Sequence, residues 1–191
     1  MSLDRRAPGA EPIRRHRLAT LADIDAVYSI YMDDEVIPYL GFDPMPRADF
    51  VKVLRDLIAT GSFYVVEDGD RILGIYRAAR HEGRASHVAY LGTFAIAAEV
   101  RGTGLAKAII ETAISRLHAE GVTRVELMLE ADNTRAFKFY TKLGFELEGT
   151  MRAAYKRSSD PHCVDELFMA RLLPPLTSAG PRPHPASARS S

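Results

Sequence analysis

With a single cysteine, Cys163, in 191 residues, the chain has no means of building an intramolecular disulfide framework, and a reducing compartment is expected. Its 25 basic and 25 acidic residues cancel, which leaves no global field to draw in nucleic acid or an anionic membrane, so any anion site has to be local. No stretch approaches the roughly 20 apolar residues of a membrane helix. The opening "MSLDRRAPGAEP" has no apolar segment behind its arginines, so the expected location is the cytoplasm. Internal repeats are also lacking. So are the standard nucleotide loops. In "RGTGLA" the glycines have neither the Walker spacing followed by Lys-Ser/Thr nor the third glycine of the dinucleotide fingerprint.

What is present reads as one domain over residues 13–173. Residues 1–12 are expected to be a flexible N-terminus. Residues 174–191, "PPLTSAGPRPHPASARSS", are expected to be a disordered tail, because proline, serine and alanine without apolar periodicity cannot offset the entropy of ordering. "IRRHRLA" alternates weakly, as an edge strand does. Thr20 with Asp23 makes a capping-box-like start for a helix over "LADIDAVYSIYMD". "ADFVKVLRDLIATG" repeats apolar residues at helical spacing and stops at Gly61. "SFYVVED" and "RILGIYRAAR" are strands joined by a "GD" hairpin signal. Next come the long strand "SHVAYLGTFAIA", a helix over "LAKAIIETAISRLHAEG", the strand "VTRVELMLE" and the helix "NTRAFKFYTKLG". A final strand pair, "FELEGTMRAAYKR" and "CVDELFMARLL", closes the order. The class is mixed α/β with a strand–helix–strand unit at its centre.

Two constellations stand out. Gly102 and Gly104 either only turn a strand into a helix, or leave the amides of residues 102–106 open at a helix N-terminus. There the macrodipole concentrates roughly half a positive charge, Arg101 adds a charge-assisted donor, and a diphosphate fits. Downstream, "EADNTRAFKFYTKLGF" puts Asn133 at a helix N-cap and Tyr140 two turns later on the same face. Alone, these are a routine cap and a routine core aromatic. Their pairing with "RGTGLA" shifts the reading toward a groove for one ligand.

Together the motifs resemble those of GNAT acyltransferases, which move an acetyl group from acetyl-CoA to an amine. Arg101, Gly104 and Ala106 match that family's diphosphate loop, and Asn133, Ala136, Tyr140, Gly144 and Phe145 match its later segment. The likeness spans roughly residues 13–173 and is strongest to bacterial amino-acid N-acetyltransferases. A looser similarity runs to enzymes that acetylate protein N-termini. The resemblance implies a central mixed, mostly antiparallel twisted sheet of six to seven strands flanked by about four helices. It implies acetyl-CoA as co-substrate, with Arg101, Gly102, Thr103, Gly104, Leu105, Ala106, Asn133, Phe139, Tyr140 and Lys142 around it. Phe94, Ala95 and Ile96 would pair with the pantetheine arm, a backbone N–H near Ile96 would receive the thioester carbonyl oxygen, and Tyr140 would protonate the departing thiolate.

The acceptor expected is a small primary amine, above all the α-amine of a free amino acid, with neither nucleic acid nor membrane as partner and no metal; a homodimer is compatible with this. A free α-amine at ~8 needs less help to become neutral than a lysine ε-amine at ~10.4. His87 is the first candidate base, and a hydrogen-bonded histidine at a strand start is the alternative reading. "AYLGTFAIA" holds no acid, whereas Glu126 and Glu130 share one face of the next strand; Glu126 is taken as the second candidate base. Tyr31, Tyr155 and Arg157 are candidate acceptor contacts, with Tyr28, Tyr39 and Arg152 as further ones, against a reading of each as surface charge or core aromatic. An arginine among them suits a carboxylate. Cys163 lies in no nucleophile-like motif, so direct transfer in a ternary complex is expected. A sensor that binds acyl-CoA without turnover is the alternative of another class.

Overall fold

The structure, a computed structural model, describes residues 14–175. The expected flexible start, residues 1–12, and the expected tail after Pro175 lie outside the described residues.

Seven strands form one sheet in the order β1-β2-β3-β4-β5-β7-β6. They are β1 (Arg15–Leu18), β2 (Phe63–Asp68), β3 (Arg71–Arg80), β4 (Val88–Ile96), β5 (Arg124–Glu130), β6 (Glu146–Tyr155) and β7 (Val164–Leu172). The helices are α1 (Ile24–Tyr31), α2 (Arg47–Ala59), α3 (Leu105–Ala119) and α4 (Thr134–Lys142). The weakly alternating first strand sits at the sheet edge, as expected. The β2–β3 hairpin turns through Gly69 at φ 62°. Only β4 and β5 run parallel; α3 supplies the crossover that a parallel pair requires.

Helix α1 is shorter than its sequence pattern suggests. Asp23 accepts the backbone N–H of Thr20 at 2.7 Å and the Arg17 guanidinium at 2.7 and 2.8 Å. That grip shapes Leu21–Asp23 into a separate 3-10 turn before α1 begins.

Two cores sandwich the sheet. On one face, Ile109, Ile110, Ala113, Ile114 and Leu117 of α3 pack with Tyr140 of α4 against Leu91, Val125, Leu127 and Met169. On the other, Val27, Ile30 and Tyr31 of α1 and Phe50 and Leu54 of α2 cover Phe63, Val65, Ile75 and Ala95. The period of 3.6 on the helices and of 2 on the strands brings these side chains together. Helices α1 and α2 cover the β1–β4 half, and on the same face Met128 and Phe168 of β5 and β7 remain partly open. Among the described residues no helix is long and apolar enough to cross a membrane.

Ile110 is fully buried in the core between α3 and the sheet, so Ile110→Ala leaves a cavity at the junction of α3 with the sheet. Urea denaturation should show a loss of about 2–5 kcal/mol; a loss below about 1 kcal/mol would mean that α3 does not hold this junction.

Candidate active site

Strands β4 and β5 pair over three residues, Val88–Tyr90 with Arg124–Glu126, and no further. Both then continue with other partners. β5 follows β7 as far as Glu130 opposite Glu166, and β4 follows β3 as far as Ile96 opposite Gly74. The cause of the parting is visible in β4. Thr93 takes φ 49°, in the left-handed region, and Thr93 and Phe94 together stand against Tyr76 of β3. Such a bulge bends its strand and increases the local twist. The result is a V-shaped cleft of about 890 Å³, walled by Leu91–Ile96 on one side and Leu127–Glu130 on the other. Beyond Tyr90 the backbone edge of β4 that faces β5 has no strand partner among the described residues, and such an edge can take up an extended ligand.

At one end of the cleft lie Gly102 and Gly104, with φ 77° and 86°. An added Cβ would meet open space at both, so it is the left-handed backbone that demands glycine. Gly104 caps α3, and the first amides of that helix open into the cleft. Leu105 contributes only through its backbone, since its side chain is in the core. The Thr103 hydroxyl donates to Val100 O at 2.7 Å and closes the loop on itself. Arg101 lines the cleft, held by Glu35 at 3.1 Å and close to Asp33 at 2.7 Å. Its Nη2 is buried against Asp33 without good hydrogen-bond alignment. Helix α4 presents Asn133, Ala136, Phe139 and Tyr140 to the same cleft. Asn133 Oδ1 accepts Ala136 N–H at 3.0 Å, the expected cap. Phe139 stacks on Phe94 with ring centres 6.2 Å apart and bridges α4 to the bulged strand. These residues fit the expected coenzyme A groups: a diphosphate on the glycine turn and a pantetheine arm on the open β4 edge.

Two buried titratable groups line the cleft beside α4. Tyr140 is 8% exposed and packs edge-on to Phe139 and Phe145; burial pushes its phenol well above the ordinary value. Glu130 is 6% exposed, and burial pushes its carboxyl up to about 7, with Glu166 and Asp132 adding to the rise. A carboxylic acid poised at neutrality in a cleft is a candidate functional group.

Several expected residues are placed elsewhere. His87 is exposed at the start of β4, where its carbonyl ties β4 to Thr123 and Arg124; the cleft opens at the other end of the strand. Glu126 lies at the last β4–β5 pair and is held by His81 at 3.0 Å and Arg124 at 3.1 Å, outside the cleft lining. Lys142 is exposed at the far end of α4. Tyr31, 1% exposed, is packed on Phe50 and Phe42, because it lies on the apolar face of α1. Tyr155 donates to Leu40 O at 2.6 Å. Arg157 grips Asp132 through both terminal nitrogens at 2.8 and 3.0 Å, Asp160 at 2.9 Å and Pro38 O at 2.6 Å. It braces the loop before α4 and leaves little for a substrate carboxylate. Glu130 is the residue that sequence reasoning passed over in favour of Glu126, although its position just ahead of the Asn133 cap pointed to the same end of the site.

The Acetyltransferase (GNAT) family model matches residues 24–145, from α1 through the β4–β5 opening to the end of the α4 motif. The chain belongs to the GNAT acetyltransferase family. An L-amino acid N-acetyltransferase of Escherichia coli, AaaT, is 29% identical over 85% of this chain and 99% of its own. The mycothiol acetyltransferase of Actinosynnema mirum is 33% identical over 46% of this chain and 28% of its own. The chain thus spans under a third of the length of the mycothiol acetyltransferases it matches. The GNAT fold is shared with yncA of Salmonella typhimurium, solved with its cofactor acetyl-CoA (TM-score 0.65, 16% identity, 86% of this chain and 96% of that one). It is shared also with a ribosomal-protein-alanine N-acetyltransferase of Brucella melitensis (TM-score 0.65, 21% identity, 83% and 99%).

The raised Glu130 carboxyl makes a prediction about stability. Between the ordinary 4.5 and about 7 the folded state keeps a proton that the unfolded state has lost, so stability falls as pH rises through this window. Denaturant midpoints measured from pH 4 to 8 should decline in the wild type, and Glu130→Gln should flatten that part of the decline. An identical slope in the two proteins would contradict the buried, protonated carboxyl.

Proposed function

We propose that the chain is an N-acetyltransferase that moves an acetyl group from acetyl-CoA to a small primary amine by direct transfer. The observation that carries this is one cleft holding both the glycine turn suited to a diphosphate and, at its other end, Glu130 and Tyr140. A module that only bound acyl-CoA would need the first and not the second. The full-length likeness to an amino-acid N-acetyltransferase supports an amino group on a small molecule as acceptor. With only one cysteine in the chain, we take the compartment to be reducing, the cytoplasm.

Acetyl-CoA supplies the activated acyl group when bound. Amides on the open edge of β4 near Ile96 are the donors for its carbonyl oxygen, fixed by the sheet and therefore preorganised. Glu130 takes the proton that the acceptor ammonium must lose. With its carboxyl at about 7, it lies more than three units below an ε-amine at ~10.4 and less far below an α-amine. Proton transfer is therefore less uphill from an α-amine than from an ε-amine. Tyr140, kept protonated by burial, donates to the leaving thiolate and is reprotonated by the second proton that the nitrogen sheds as the amide forms. Glu130 replaces His87 and Glu126 in the role of base, because it is the acid on the cleft-lining part of β5.

In steady-state assays following thiol release, kcat/KM should rise with pH through a limb near 7. Glu130→Gln should lower kcat/KM by about 10²–10⁴-fold and abolish that limb. Tyr140→Phe should lower kcat while leaving the acetyl-CoA KM near its wild-type value. A limb retained in Glu130→Gln would remove Glu130 from proton transfer, and a Tyr140→Phe variant that mainly raised KM would make Tyr140 a binding residue.

A further inference from the structure

An acceptor with a carboxylate needs a cation, and Arg157 is committed to Asp132, Asp160 and Pro38 O. Most other partly buried arginines are committed too. Arg17 holds Asp23 and Glu67, Arg101 meets Asp33 and Glu35, Arg124 holds Glu126 and Glu148, and Arg171 holds Glu111. Arg14 has a buried Nε without a partner but lines neither the main cleft nor the cavity beside it; Arg77 of β3 differs in place. Its Nε donates to Ser62 Oγ at 3.2 Å, and among the described residues no carboxylate lies within salt-bridge distance of it and its terminal nitrogens have no hydrogen-bond partner.

The place of Arg77 in the sheet gives that cation a use. In register it stands between Phe63 of β2 and Gly92 of β4, on the face that α1 and α2 cover as far as Ile75. Its stem therefore lies at the border of that core, and its head enters a second cavity of about 490 Å³. Tyr90, Met128 and Phe168 wall this cavity, and Met128 lines the main cleft as well, so the two spaces border one another at that side chain. Gly92 makes the junction possible. A Cβ there would lie 2.6–2.9 Å from the Tyr90 side chain, so only glycine lets that side chain lie across the strand between a residue of the main cleft and the cavity of Arg77. Glu126, the acid in the second cavity, is already matched by Arg124 and His81, and Arg80 is bound to the carbonyl oxygens of Ser86 and Glu120. The cavity is left with excess positive charge, concentrated on Arg77.

We propose that Arg77 is the anion-recognition group of the acceptor subsite. It binds the carboxylate of an amino-acid-like acceptor whose amine reaches Glu130 in the adjoining cleft. This rests on the acetyltransferase reading and names the substrate class for it. Apolar walls from Met128 and Phe168 receive the acceptor's carbon skeleton, and the planar guanidinium suits two-point binding of a carboxylate.

The test compares amino acids with their carboxamides, which keep the amine and lose the negative charge, in wild type, Arg77→Met and Arg77→Lys. Circular dichroism of each variant checks folding. The wild type should prefer the carboxylate, and Arg77→Met should cut the carboxylate-to-amide ratio of kcat/KM by about ten- to a hundredfold. Arg77→Lys should retain an intermediate preference, because it keeps the charge and loses the fork. Titration of N-acetyl-amino acids and their amides into the CoA-loaded protein gives a readout independent of turnover. Carboxylate-dependent binding lost in Arg77→Met sustains the subsite even if no amine is acetylated, in which case the enzymatic reading alone fails. Equal use and equal binding of acid and amide by the wild type, or an equal loss on both in Arg77→Met, would overturn the proposal.

Discussion

The site depends on the separation of two parallel strands. β4 and β5 share three residue pairs and then diverge, because the bulge at Thr93 turns β4 while β5 stays paired to β7. A buried strand edge without a partner is costly, since each of its N–H and C=O groups has to be satisfied. A cleft-lining edge converts that cost into a binding surface for an extended ligand. The two cores hold the strands apart: α3 and α4 pack one face, α1 and α2 the other, and no helix fills the gap. Helix α4 borders the opening through Phe139 and Tyr140, and α3 aims its N-terminus at it through the Gly104 turn. Loss of the bulge would let the strands zip together and close the site.

Charge is distributed around this opening with distinct purposes, although the chain as a whole is neutral. Arg101 and Arg135 at the glycine turn face Glu35. The Glu35 side chain is exposed, so its pairs contribute little to stability, and Arg101 is held also by the less exposed Asp33. Arg157 does the reverse. It is only 11% exposed, it is clamped by two carboxylates and a carbonyl, and it stacks over Tyr39 and Tyr155. It thereby fixes the loop after α1 and the turn between β6 and β7 against the β5–α4 junction. Glu130 sits just inside that brace, and its burial raises its proton affinity into the neutral range.

Features governed by local rules were legible in the sequence. The succession of strands and helices, the β2–β3 hairpin, the Asn133 cap, the Asn133–Tyr140 face and the glycine turn before α3 all follow from periodicity and from backbone demands within about ten residues of chain. Long-range pairing governs the rest. Whether Glu126 or Glu130 faces the cleft depends on where β4 leaves β5, and Thr93, which decides it, carries no special sequence signal. Tyr31 and Tyr155 look alike as tyrosines near the site, but the apolar stripe of α1 buries the first. Arg157 reads as a free cation until Asp132, 25 residues away, is found against it. His87 was a reasonable base by chemistry and stands at the wrong end of its strand.

The direct measurement is amide hydrogen exchange on the isolated protein with and without acetyl-CoA. If the open edge of β4 takes the thioester arm and the glycine turn its diphosphate, protection should rise in Leu91–Ile96 and at residues 102–106. The β2–β3 hairpin and the Val88–Tyr90 pairing to β5 should be unchanged. Protection confined to other parts of the surface, with β4 exchanging as in the free protein, would contradict the parted strands as the acyl-CoA site.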